Sequence, residues 1–229
     1  MFDSFTSQPK KSLLLLRHGH REKTPKNSFG NELPLTLEGK QRAFSLGQTI
    51  RDLKIGECHT SPLLRCVQTA EKILEGSNQK IEIKNSKILG DPGPFISDPV
   101  EAGPLFLETP LESIAQAIVD NQKLPGMRTL EEGSHLFVRH VLQVGKLPCI
   151  MISHDIIISL LCCFFFKSHN AQKFMPNYLE GLSITRENSH IIVHLEKYNE
   201  PKKLGLGEEA PQIFHRRKAA VFIDTGAIC

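Results

Sequence analysis

Four consecutive leucines, Leu13–Leu16, run without a spacer into Arg17, His18, Gly19, His20 and Arg21, and this junction constrains the fold more than any other stretch. An unalternating apolar run of strand length has no polar face to give to water. It therefore suits a strand covered on both sides, as in a parallel sheet. A second run of the same kind, PCIMIS from Pro148 to Ser153, ends in His154 and Asp155. In open α/β sheets functional groups gather beyond the carboxyl ends of the strands. A sheet that sets these two strands side by side brings His18 and His154 together there.

The segments between the runs read mostly as capped helices. Thr36 is placed as N-cap of a helix through LEGKQRAFSLGQTI, and Ser61 with Pro62 as cap and first residue of a helix through LLRCVQTAEKIL. Thr109 and Pro110 open a further helix to about Asn121, and another is predicted from about Thr129 to Val144. IEIKNSKIL reads as a strand, and the Pro- and Gly-rich stretch from Asp91 to Glu108 as a loop that folds over something. The apolar segment after Asp155 reads as a core helix, and LEGLSIT with HIIVHLEKY as an antiparallel hairpin. Strands alternating with helices predict an α/β fold, a three-layer sandwich with a mainly parallel central sheet. One domain is expected over residues 1–229, with its core at about 12–198 and a C-terminal tail from about 199 that shows no clear periodicity.

Composition narrows the partners. With 40% hydrophobic and 23% charged residues and a net charge of +3, the chain has the balance of an ordinary globular protein. No basic run interleaved with aromatics is present, so no nucleic-acid partner is expected. The longest apolar run, Ile156–Phe166, is well short of the roughly 20 residues a spanning helix needs, so no membrane insertion is expected. MFDSFTSQPKK lacks the order of a secretory signal, and the six cysteines show neither metal nor redox spacing. A cytoplasmic protein with reduced thiols follows as the expectation.

Arg17, Arg21 and Arg65 gathered about two histidines call for a dianion, because the guanidinium fork matches phosphate oxygens and stays charged. RHG at 17–19, LTLEGKQRA, SPLLRCVQTA at 61–70 and the later SHD together resemble the histidine phosphatase superfamily of phosphoglycerate-mutase-like enzymes. The resemblance implies a phosphoglycerate-mutase-like fold, His18 as nucleophile, Arg17 and Arg65 as phosphate holders and His154 as the second histidine. It implies a phosphatase acting on a small-molecule or peptide phosphate monoester through a phosphohistidine, with no metal and no cofactor. SHD is similar to the acid phosphatase and phytase branch, where the aspartate after the histidine donates the proton. RHGHR matches that branch's RHGxR, which implies a phosphate role for Arg21, although Lys23 stands where that branch has proline.

On this basis Asp155 is the expected proton donor, with Asp98 and Glu101 in reserve because mutase-like members take a glutamate from a mid-chain loop. A phosphoglycerate-type mutase and a non-catalytic binder of phosphorylated ligands stand as the alternatives. His20 is a candidate substrate contact. His59, His135, His140, His169, His190, His194 and His215 share no metal-ligand spacing. The FFF run at 164–166 is expected in the core, or as an apolar patch near the mouth of the site.

Overall fold

The leucine run becomes the middle of the sheet. The computed structural model describes residues 3–187, 190–196 and 221–224. Its first half runs α1 (Asp3–Ser7), β1 (Ser12–Arg17), α2 (Leu37–Thr49), β2 (Glu57–Thr60), α3 (Leu64–Gly76) and β3 (Ile83–Asn85). There follow α4 (Pro99–Glu108), α5 (Leu111–Val119), α6 (Leu130–Gln143), β4 (Cys149–Ser153), α7 (Asp155–Phe165), β5 (Gly181–Glu187), β6 (His190–Glu196) and β7 (Val221–Asp224). The strand order is β3-β2-β4-β1-β5-β6-β7. The first four of these are mutually parallel, and β5, β6 and β7 extend the sheet antiparallel.

Strand alternation divides the core into two layers. Leu13, Leu15, Cys149 and Met151 pack with residues of α5, α6 and α7 on one face. Leu14, Leu16, Ile150 and Ile152 pack with α2 and α3 on the other. Both faces being covered explains why neither strand carries a polar alternation. Register pairs Leu13 with Cys149 and Arg17 with Ser153, so the residues after the two strands emerge as neighbours. Among the described residues no helix is long and apolar enough to cross a membrane.

Thr36 caps α2 by accepting from the Gly39 N–H at 3.0 Å, and Thr129 forms a reciprocal capping box with Glu132. Other boundaries differ from expectation. The helix after β2 begins at Leu64 with Leu63 as its cap, and the Ser61 hydroxyl meets His154 Nε2 at 2.9 Å and the Leu63 N–H at 3.4 Å. Pro110, and not Thr109, precedes α5 as its cap residue. The stretch expected as a loop is half helical: Asp98 accepts from the N–H groups of Val100 and Glu101 at 2.8 and 3.3 Å, with Pro99 in the first position. Gly103 and Pro104 argue against a helix on propensity, but packing of the buried Ala102 overrides them. The tail, which shows no clear periodicity in the sequence, contributes β7; four residues are too few to show a period, and β6 supplies the template. Of the six cysteines, five are buried and unpaired, and Cys229 lies outside the described residues.

Beside the edge strand β3, Glu57 opens β2 almost fully buried. Burial alone would raise its carboxyl. Hydrogen bonds from His59 at 2.6 Å, Lys84 Nζ at 2.9 Å and the Lys146 N–H at 2.8 Å outweigh that and hold it at about 2, against an ordinary 4.5. A depressed folded-state pKa contributes stability that is complete above about 4.5 and lost as pH falls toward 2. Glu57→Gln should therefore lower the unfolding free energy at neutral pH by ~1–3 kcal/mol, with the difference closing as the medium is acidified toward 2. Denaturant titrations across that window check this; an equal loss at every pH would contradict the linkage.

Candidate active site

His18 stands one residue beyond β1, its backbone N–H bonded to the Ser153 carbonyl at 3.0 Å, and is 2% exposed. His154 stands one residue beyond β4, and the two ring centroids lie 5.5 Å apart with the planes at 65°. Between them enters Arg65 from the first turn of α3. Its Nε donates to His18 Nε2 at 3.2 Å, its Nη1 donates to the Gly30 carbonyl at 2.9 Å, and its Nη2 approaches His154 Nδ1 at 3.5 Å.

These contacts assign the imidazole tautomers. A guanidinium has only donors, so the ring nitrogens facing Arg65 must be lone-pair acceptors. His18 therefore carries its proton on Nδ1 and donates it to the Gly19 carbonyl at 2.8 Å, leaving Nε2 unprotonated toward the cavity. His154 carries its proton on Nε2 and donates it to Ser61 Oγ at 2.9 Å. Burial lowers the pKa of His18 well below 6.5, and the like charges of His154, Arg65 and Arg17 lower it further. Burial and then Arg65 also lower His154, so both rings are neutral at neutral pH. A dianion placed between them would reverse the local field and favour protonation of His154.

Asp155 opens α7 and pairs with Arg17, with Nη2 and Oδ2 2.7 Å apart. Arg17 also donates to the Pro176 carbonyl at 2.7 Å and lies over the Tyr178 ring, 4.2 Å from its centroid. A cavity of about 550 Å³ opens beside these groups, and His18, Arg21, Arg65, His154 and Asp155 all line it. Arg17 is not among the residues that line it. Asp98 and Glu101 are exposed on α4, and neither lines the cavity. Asp98 spends its carboxylate on capping that helix. His20 is turned away, bonded through Nδ1 to Thr36 Oγ1 at 2.8 Å. His59 is buried against Glu57, and the FFF run is core: Phe165 is 1% exposed, and Phe166 stacks on Phe174.

Three residues of the site were not singled out for their roles here. Ser61 orients His154. Thr69 accepts from the Gly19 N–H at 2.9 Å while donating to the Arg65 carbonyl at 2.6 Å, which ties the turn after His18 to α3. Gly90 has φ of +142°, and a Cβ there would lie 2.5 Å from His154 Nε2 and 2.8 Å from Ser61 Oγ. Its signal in the sequence was the LGDPG turn, which shows that glycine is needed but not what it touches. Gly90→Ala should displace the His154 ring and lower kcat by about 10²-fold, the cost of a misplacement near 1 Å. Steady-state kinetics on a variant shown by circular dichroism to be folded checks this; unchanged kcat would mean the ring has room to spare.

With this geometry in place, comparison with known proteins becomes informative. The sequence profile of the histidine phosphatase superfamily (branch 1) matches residues 13–87, which hold RHG, α2 and SPLLRCVQTA and stop short of His154. A curated 2,3-bisphosphoglycerate-dependent phosphoglycerate mutase from Chlamydia pneumoniae is 42% identical over 60 residues, 25% of this chain. The match spans only 26% of that relative's length. Phosphoglycerate mutase from Bacillus anthracis has a similar structure, with a TM-score of 0.58 at 17% identity over 84% of this chain and 95% of that one. A phosphoserine phosphatase from Entamoeba histolytica, in complex with 3-phosphoglyceric acid, gives 0.56 at 15% identity over 82% and 97%. At such identities these structures bear on the fold alone, which is phosphoglycerate-mutase-like. The profile matched over residues 13–87, with its motifs, supports membership of the histidine phosphatase superfamily.

Proposed function

We propose that this protein is a phosphatase that hydrolyses phosphate monoesters through a phosphohistidine on His18. The observation that carries the proposal is the His18 tautomer: Nδ1–H is bonded to the Gly19 carbonyl, and the Nε2 lone pair faces a cationic cavity. A buried neutral imidazole with a fixed tautomer is a nucleophile ready to act.

In this reading Arg65, Arg21 and His154 bind the phosphoryl oxygens and offset the charge that spreads over them in a loose transition state. His18 Nε2 attacks phosphorus as the ester P–O bond breaks, and the leaving oxygen takes a proton from Asp155. Asp155 is ion-paired with Arg17, and the proton it passes on is supplied by the monoanionic ester, whose second ionisation lies near about pH 6. Water then attacks the phosphohistidine, returning its proton to Asp155 and releasing inorganic phosphate. Arg17 holds the Asp155 carboxylate in place and adds its positive charge to the anion-binding site. The cytoplasmic localisation and single-domain organisation expected from sequence accompany this proposal.

A mutase is the second reading, favoured by the 42% identity to a phosphoglycerate mutase in the matched segment. Release of inorganic phosphate from p-nitrophenyl phosphate, compared with phosphoryl exchange between 2- and 3-phosphoglycerate, separates the two. Hydrolysis without exchange is the expected result. Exchange without hydrolysis would make the chain a mutase, and neither activity would make it a binding protein.

A further inference from the structure

We infer that the cavity is built to receive a phosphate monoester of an apolar alcohol, an assignment that rests on the phosphatase reading of the same site. The cavity extends well past the phosphate cradle, and its wall there includes Phe29, Phe95, Ile96, Phe106, Leu107 and Met127, with the uncharged polar Asn27, Ser28 and Asn31 along the turn that carries Phe29. These residues belong to four separate segments: the turn after β1, the stretch after Gly90, α4, and the approach to α6. Among the described residues, the lining side chains beyond the cradle that carry charge are Lys26 and Asp91, both exposed. Phe29 and Leu107 are 51% and 40% exposed, so the apolar lining continues to the surface.

Physical chemistry selects the leaving group from this. A substrate with a carboxylate or ammonium beside its ester would lose hydration in the apolar part and find no buried partner for the charge. A hydrocarbon skeleton loses nothing and gains by leaving water. At about 550 Å³ the cavity is within the range that encloses a drug-sized ligand, much more than a phosphate requires. Cations at one end and hydrocarbon at the other form an amphipathic receptor, and the matching ligand carries one phosphate and one apolar body.

The test uses alkylphosphonates from methyl to octyl, which cannot be hydrolysed, with binding to the full chain measured by calorimetry. Each methylene should tighten binding by about fourfold until the cavity is filled, so octylphosphonate should bind at least about 100-fold tighter than methylphosphonate. It should also outcompete 3-phosphoglycerate. Phe29→Ser, at an exposed position that does not threaten folding, should reduce the octyl-to-methyl ratio by about fivefold. A flat series, or tighter binding of 3-phosphoglycerate than of octylphosphonate, overturns the inference. Hydrolysis is scored separately with octyl phosphate and p-nitrophenyl phosphate. Tight octylphosphonate binding without turnover of either ester overturns the phosphatase reading and upholds the cavity's preference. Turnover with a flat binding series does the reverse.

Discussion

Replacing His18 by Ala should abolish phosphoryl transfer, lowering kcat by roughly 10⁴- to 10⁶-fold, the range seen when a covalent nucleophile is removed. The size of the effect follows from His18 Nε2 being the unprotonated ring nitrogen that faces the cationic cavity. Acid-labile incorporation of phosphate from a labelled ester should be present in the wild type and absent from the variant. Protonation bears on the same atom. Only the neutral ring attacks, and burial with the like charges around it lowers the His18 pKa well below 6.5. The limb of kcat/KM that reports the nucleophile should therefore remain flat at a pH where an ordinary histidine is already protonated, and fall only below that. A limb centred at 6.5 would show that the nucleophile is an ordinarily solvated histidine and not buried His18. Undiminished phosphate incorporation in His18→Ala would move the covalent step elsewhere.

Asp155→Asn should divide substrates by their leaving groups. Alkyl phosphates expel a strongly basic alkoxide and need its proton supplied, whereas aryl phosphates expel a phenolate that departs without help. General acid catalysis is worth about 10²- to 10⁴-fold, so kcat/KM for alkyl esters should fall by that order while aryl esters lose much less. The structure favours Asp155 for this role because it lines the cavity on the first turn of a buried helix. Its pairing with Arg17 fixes the carboxylate further. Asp98 and Glu101 lie outside the cavity wall, on the exposed side of α4. The corresponding controls, Asp98→Asn and Glu101→Gln, should leave the ratio of alkyl to aryl rates unchanged. Were Glu101→Gln to change that ratio while Asp155→Asn slowed both classes alike, the acid would belong to α4. The enzyme would then be mutase-like in its proton transfer.

The two strands that carry the histidines were legible because their apolar runs have no alternation. Burial on both faces demands that pattern, and parallel pairing of β1 with β4 satisfies it. Thr36 was legible as a cap because a capping side chain acts on its own first turn, within a few residues of sequence. Ser61 misled for the complementary reason: its hydroxyl serves His154, 93 residues away, and no local pattern reports so distant a partner. The same limit applies to Gly90, whose lack of a side chain answers to the ring of His154.

The sequence by itself determined the buried strands, the charged turns that end them and hence the chemistry they offer an anion. These depend on side-chain type and short-range period, which any segment displays on its own. Tertiary structure alone decided which carboxylate reaches the cavity, which nitrogen of His18 is unprotonated, and that apolar residues from 29, 95–107 and 127 close into one wall. Each of those is a distance between residues far apart in the chain, and it is settled only when the helices pack on the sheet.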